Sequence, residues 1–279
     1  MSVTVTLHVF SGRPDPSWEL DSEEISQLVA QLRSINTTTL SKPLSVAGGL
    51  GYRGFSIESN RERDLDPHTI VFADIIDRNR FSLNLQDANR SVERWLLSSA
   101  TGRVDPAVLQ HVNAQMGGTA SAASLRGGTT SLSTPPPYNP GKWNNDPNIL
   151  HRNNCYNYGC DLITNTFAQP GRGTGTQYSA MDCANVGSGA QRDGLRSVPN
   201  TASTPANGHY VALVIWPGAD FHWYRKDANN MWSHKPGQTP ARNVDNSNQP
   251  ISDPQNCNRG PYTQFCEYFN VDPATIHIL

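Results

Sequence analysis

The stretch "NNCYNYGCD" sets Cys155 directly after Asn153 and Asn154, and "NGHYVALVIW" sets His209 at the mouth of an apolar run. A thiol at a helix start sits where unpaired backbone N–H groups and the helix dipole favour the thiolate. A histidine on a neighbouring strand can hold that thiolate as an ion pair and return a proton to a leaving amine. The same amides can stabilise the oxyanion of a tetrahedral intermediate. The chemistry implied is thiol attack on an amide, with Cys155 as nucleophile and His209 as base. Other readings of these residues stay open here: Cys155 as a disulfide partner or buried thiol, His209 as a strand-edge histidine. A zinc site drawn from Cys155, Cys160, Cys183 and several histidines is disfavoured. No C-x-x-C pair exists, and Cys155 and Cys160 point about 140° apart on a helix. "PGRGTGTQ" follows a helix and lacks the Lys-Ser/Thr ending of a phosphate loop. No cofactor and no metal is expected.

Such a pair needs a helix and a strand to position it. Asn154 is a good N-cap, and Tyr156, Cys160, Ile163 and Phe167 recur at the spacing of a three-turn buried stripe. "HYVALVIW" has strand length, "PGAD" turns the chain, and "FHWYRKD" alternates as the returning strand. Farther on, "YTQFCEYF" reads as a short helix and "TIHIL" as a final strand. The residue that orients His209 is left between two. His222 lies thirteen residues beyond His209, but a hairpin centred between Gly218 and Ala219 sets it opposite Ile215, roughly 20 Å up the strand. That register puts Ala228 across from His209; a one-residue shift brings Asp227 or Asn229 there instead.

"CYNYGCD" (155–161) resembles the Cys-x-x-Tyr-small-x-Asn/Asp start of the nucleophile helix in CHAP-type amidases, and "GHYVALV" (208–214) resembles their Gly-His-Val strand. CHAP and the related NlpC/P60 enzymes are papain-like amidases and endopeptidases. The resemblance implies a papain-like domain with a nucleophile helix packed on an antiparallel sheet, acting on peptide or peptidoglycan amide bonds. It implies Cys155 as nucleophile and His209 as base. NlpC/P60 enzymes place a polar residue about a dozen positions after the histidine, which suits His222. CHAP enzymes use a carboxylate after the His strand, which suits Asp227.

The remainder of the chain reads as a separate module. "VTVTLHVF" alternates like a strand, and Asp21 with Glu24 forms a capping-box pattern before the stripe Ile25, Leu28, Val29, Leu32, Ile35. "GGLGYRGFSIES", "HTIVFADII" and "RFSLNL" read as strands, and "DANRSVERWLLSSA" and "DPAVLQHVNAQM" as helices. The expected organisation is therefore a small α+β domain over 1–116, a Gly/Ser/Thr/Pro-rich linker over 117–141, and an α+β papain-like domain over 142–279. All five cysteines lie in the last; with Cys155 free, Cys160, Cys183, Cys257 and Cys266 are available to pair.

Composition narrows the function classes. Hydrophobic content of 36% and charged content of 16% are both low, and 22 Gly and 20 Pro suit a loop-rich globular protein. A net charge of −2 gives no electrostatic case for nucleic acid or anionic membrane. Arg61, Arg63, Arg78 and Arg80 form the one local basic cluster, read as a solvated loop. No apolar run reaches the ~20 residues of a membrane span, and the N-terminus lacks the pattern of a signal peptide. The expected location is thus cytoplasmic, or outside the cell by a non-classical route, as for an injected effector. Two functions compete. One is a cysteine amidase or peptidase whose N-terminal domain binds a protein partner. The other is a non-catalytic extracellular binding or self-assembling structural protein on a papain-like scaffold, forming homo-oligomers through surfaces rich in Tyr, Trp, Asn and Pro.

Overall fold

Alternation in "SVTVTL" makes β1 (Ser2–Leu7) a strand with Val3, Val5 and Leu7 buried. The computed structural model describes residues 2–35, 49–60, 68–72, 75–78, 83–87, 90–116 and 135–279. The clustered Arg61, Arg63 and Arg80, and positions 117–134 of the expected linker, lie outside the described residues. The chain forms two compact units: one of Met1–Val9, Asp15–Ala47 and Gly51–Ser121, the other of Phe10–Pro14, Gly48–Leu50 and Ala122–Leu279. Both combine helices with antiparallel strands, so the fold class is α+β.

In the first unit, β1 is followed by β2 (Ser17–Glu19), α1 (Ser22–Ser34), β3 (Phe55–Asn60), β4 (His68–Phe72), β5 (Ile75–Arg78), β6 (Leu83–Gln86), α2 (Ser91–Ser99) and α3 (Pro106–Gln115). The six strands make one sheet in the order β2-β1-β3-β4-β5-β6. α1 starts at a capping box: the Asp21 carboxylate accepts from Glu23 N and Glu24 N, and Glu24 accepts from Asp21 N. It buries Leu28 and Leu32, the centre of the stripe.

The second unit contains α4 (Pro140–Asn144), α5 (Pro147–Arg152), α6 (Cys155–Gly159), α7 (Cys183–Arg192), β7 (Arg196–Val198), β8 (His209–Trp216), β9 (Asp220–Lys226), β10 (Trp232–His234) and β11 (Gln264–Val271). Its sheet runs β10-β9-β8-β11-β7. β8 is central and buried on both faces, which explains its unbroken apolar sequence.

Four elements differ from the sequence pattern. The expected three-turn helix ends at Gly159, and Ile163 is exposed. Asp161, Asn165 and Phe167 take left-handed backbone, while Asn157 donates to Leu162 O and Thr164 Oγ1, and Asn153 accepts from Thr164 N and Asn165 N. These side chains give the backbone partners that a longer helix would have supplied. "YTQFCEYF" is strand from Gln264 onward and not helix, because β11 pairs with β8 from His209 to Ile215. A bulge between Phe265 and Glu267 accommodates Cys266. "TIHIL" is not a strand: Ile276 and Ile278 pack into the core, and His277 N donates to Asp193 O. α7 gives no helical signal in "CANVGSGAQR", yet its glycines let it pack closely. A Cβ on Gly189 would lie 2.8 Å from Pro170 O.

Cys183 at the start of α7 is disulfide-bonded to Cys266 on β11, with Cα atoms 5.4 Å apart. Cys155 and Cys160 are buried thiols, and Cys257 is a half-buried one. The bond closes a loop spanning 83 positions, for which chain entropy alone gives about 4–5 kcal/mol. A Cys183→Ser/Cys266→Ser variant should therefore unfold at a distinctly lower urea concentration than the oxidised protein, and match the protein unfolded under reductant. Equal midpoints for oxidised and variant chains would contradict this.

Candidate functional site around Cys155

Asn154 organises the start of α6. Its Oδ1 accepts from Tyr156 N at 3.0 Å and Asn157 N at 3.1 Å, while its Nδ2 donates to Gly12 O at 2.6 Å and Ala168 O at 2.7 Å. Asn157 Oδ1 accepts from Asn154 N in return and also from Ala168 N. Cys155 is thus the first helical residue. Its thiol is fully buried, with Phe221 O 3.9 Å away.

The segment Phe10–Pro14 closes this spot. Asp220, wholly buried at the start of β9, accepts from Ser11 N at 2.5 Å, Gly12 N at 3.1 Å, Arg13 N at 3.0 Å and Tyr262 Oη at 2.5 Å. Successive amides converging on one carboxylate form an anion-binding nest. Gly12 O accepts from both Asn154 Nδ2 and Gln169 Nε2. A Cβ at Gly12 would come within 2.5 Å of the Phe221 ring, so only glycine fits between the helix cap and β9. Burial pushes the Cys155 thiol well above its ordinary range, and the nearby Asp220 charge adds to the rise. A nucleophilic cysteine needs the opposite shift. Burial likewise raises Asp220 to about 6, opposed by its four donors.

His209 lies at the other end of α6. Its Nε2 hydrogen-bonds Gly159 O at 2.6 Å, and burial followed by the Arg225 charge lowers its pKa to about 4. The ring is neutral at pH 7 and donates from Nε2. No hydrogen bond joins the Cys155 thiol to this ring among the described residues. The β8–β9 register runs from Val211↔Arg225 to Trp216↔Asp220, one residue shorter in the turn than a hairpin centred between Gly218 and Ala219. His222 consequently faces Val214, and the pairing continued past Arg225 brings Asp227 level with His209. Asp227 is committed elsewhere: Oδ1 accepts from Arg225 Nε at 2.9 Å, and Arg225 also donates to Asp161 and Tyr158 Oη. His222 Nε2 hydrogen-bonds His234 Nδ1 at 2.9 Å, between the rings of Tyr224 and Tyr262. The four residues therefore belong to separate hydrogen-bonded groups.

Asp220, Gly12 and Lys235 carry the local architecture and were not singled out by sequence. Asp220 looks like an ordinary turn residue in "PGAD", and its three backbone donors lie more than 200 positions away. In the first unit, His8 connects Asp15 through Nδ1 at 3.1 Å and Ser56 Oγ through Nε2 at 2.9 Å. Ser56 is buried within β3, so this chain of hydrogen bonds joins β1 to β3 and offers no reachable hydroxyl. No group of three His, Cys, Asp or Glu side chains that could hold a metal ion occurs among the described residues.

No family model and no solved structure matches the chain. Insoluble matrix shell protein 1 of Ruditapes philippinarum is 48% identical over 136 residues, covering 49% of this chain and 90% of that protein. The chain belongs to the family of that shell matrix protein. This kinship corrects the hydrolase and cysteine-peptidase expectation, since the relative of the insoluble matrix shell protein family is a matrix component by name and not a hydrolase. A buried, high-pKa thiol agrees with the correction.

Native Cys155 should resist iodoacetamide up to about pH 9, the range in which accessible thiols label, with or without His209→Ala. Asp220→Asn points an amide donor at a nest of N–H donors, at a cost of about 1–3 kcal/mol for each group left unsatisfied. It should loosen Phe10–Pro14 and make Cys155 label while the fold persists. Peptide mass spectrometry reads both; labelling of native Cys155 at neutral pH would refute the seal.

Proposed function

We propose that the chain is a non-catalytic structural protein of an extracellular matrix, whose second unit is a papain-like scaffold without a working cysteine. The 48% identity to an insoluble matrix shell protein carries this reading. The geometry supports it from two sides. α6 lies on an antiparallel sheet as the nucleophile helix of a papain-like domain would, but its first residue is covered by Phe10–Pro14 and its thiol held protonated by burial. The Cys183–Cys266 disulfide suits an oxidising compartment. In such a role the partners are other matrix components and further copies of the chain. No helix among the described residues is long and apolar enough to cross a membrane.

Mass photometry of the oxidised full chain over rising concentration should show ordered homo-oligomers, unchanged by Cys155→Ala. A chain that stays monomeric throughout, or assembly that disappears in a folded Cys155→Ala variant, would overturn the reading.

A further inference from the structure

The second unit carries an open cleft of about 520 Å³ between the end of α5, the loop after α6 and the turn at Gln238, with Pro14 at its rim. Its walls are fixed by buried polar side chains. The Lys235 ammonium, fully buried, donates to Leu150 O, Asn153 O and Gly237 O, each at 2.6 Å, joining the α5 wall to the Gln238 turn. Asn153, also fully buried, donates to Ile149 O and Asn165 Oδ1 and accepts from Asn165 N, fastening the third wall to the first. Phe167 N donates to Arg152 O at 2.9 Å. These ties hold Asn165 and Phe167 at φ of 57° and 54°. For a side chain as large as phenylalanine this backbone is strained, and such strain concentrates at ligand-binding positions.

The lining chemistry defines the ligand. No Asp or Glu lines the cleft, while Arg152 and His151 do, together with the amides of Asn165 and Gln238 and the Thr166 hydroxyl. The Arg152 guanidinium is exposed and makes no hydrogen bond or ion pair with the described residues. A planar fork of donors of this kind recognises carboxylate, sulfate or phosphate oxygens in pairs. Phe167 supplies one aromatic face. The wall backbone is largely occupied: Thr166 O and Phe167 O accept from Arg172, Gly237 O from Lys235, and Arg152 O from Phe167 N. A peptide strand recognises its receptor through free backbone groups, and here four wall carbonyls are already engaged. A hydroxyl-rich ring with an acidic group uses side-chain amides, a guanidinium and an aromatic face.

We propose that this cleft binds an anionic saccharide, its acidic group on Arg152 and its ring face on Phe167. The site needs no second copy of the chain, so it stands independently of the assembly reading. Isothermal titration of the full chain with an oligogalacturonate and with a sulfated oligosaccharide separates the two sources of the anion; a neutral chito-oligosaccharide and an oligoglutamate serve as comparisons. Binding of either acidic sugar is expected, weakened about tenfold or more by Arg152→Gln and by Phe167→Gly, and unchanged by Arg196→Gln on the exposed edge strand. Phe167→Gly relieves the left-handed backbone while removing the ring, so a melting temperature that does not fall shows that loss of binding is not loss of fold. Tighter binding of the oligoglutamate, an equal loss with Arg196→Gln, or no binding of either acidic sugar would overturn the proposal.

Discussion

A carboxylate removed from water must find donors or give up its charge. Asp220 finds four, three of them consecutive amides of a segment more than 200 positions earlier in the chain. Much else in the second unit follows from that contact. It fixes where Phe10–Pro14 lies, which places Gly12 O within reach of Asn154 and Gln169. Asn154 in turn caps α6 and holds Ala168, so the loop that follows the short helix is secured by the same residue that begins it.

The consequence for chemistry is a matter of access and charge. A helix N-terminus can favour a thiolate only when its environment solvates or pairs that charge. Here the Tyr156 and Asn157 amides are occupied by the Asn154 side chain, Gly12 packs against that cap, and the charge that acts most on the thiol is Asp220. His209 cannot help from the far end, where the Gly159 carbonyl engages its ring. The Cys155 helix and the His209 strand thus serve packing. Cys155 and Trp223 belong to one core cluster with β8 and β11.

Local signals were the legible part of the sequence. The capping box at Asp21, Pro106 after Asp105, the Asn154 cap and the β8–β9 hairpin each depend on neighbours within a few positions, and each forms. Long-range choices were not legible. "YTQFCEYF" has mixed propensity, and pairing with β8 decides it. The stripe Tyr156, Cys160, Ile163, Phe167 fits a helix, yet Asn153 and Asn157 compete for the backbone and end it. The hairpin register hinged on one turn residue, which moved Asp227 and His222 by one partner each. The site was the least legible part, because its decisive residue, Asp220, draws its meaning from Ser11, Gly12 and Arg13.

Hydrogen exchange at those three amides tests the account most directly. If Asp220 holds them as a structural clamp, Ser11, Gly12 and Arg13 should exchange as slowly as the core of β9, and Asp220→Asn should release all three together. Exchange at the rate of an exposed loop, in the native protein at neutral pH, would contradict the clamp and reopen the access of Cys155 to solvent.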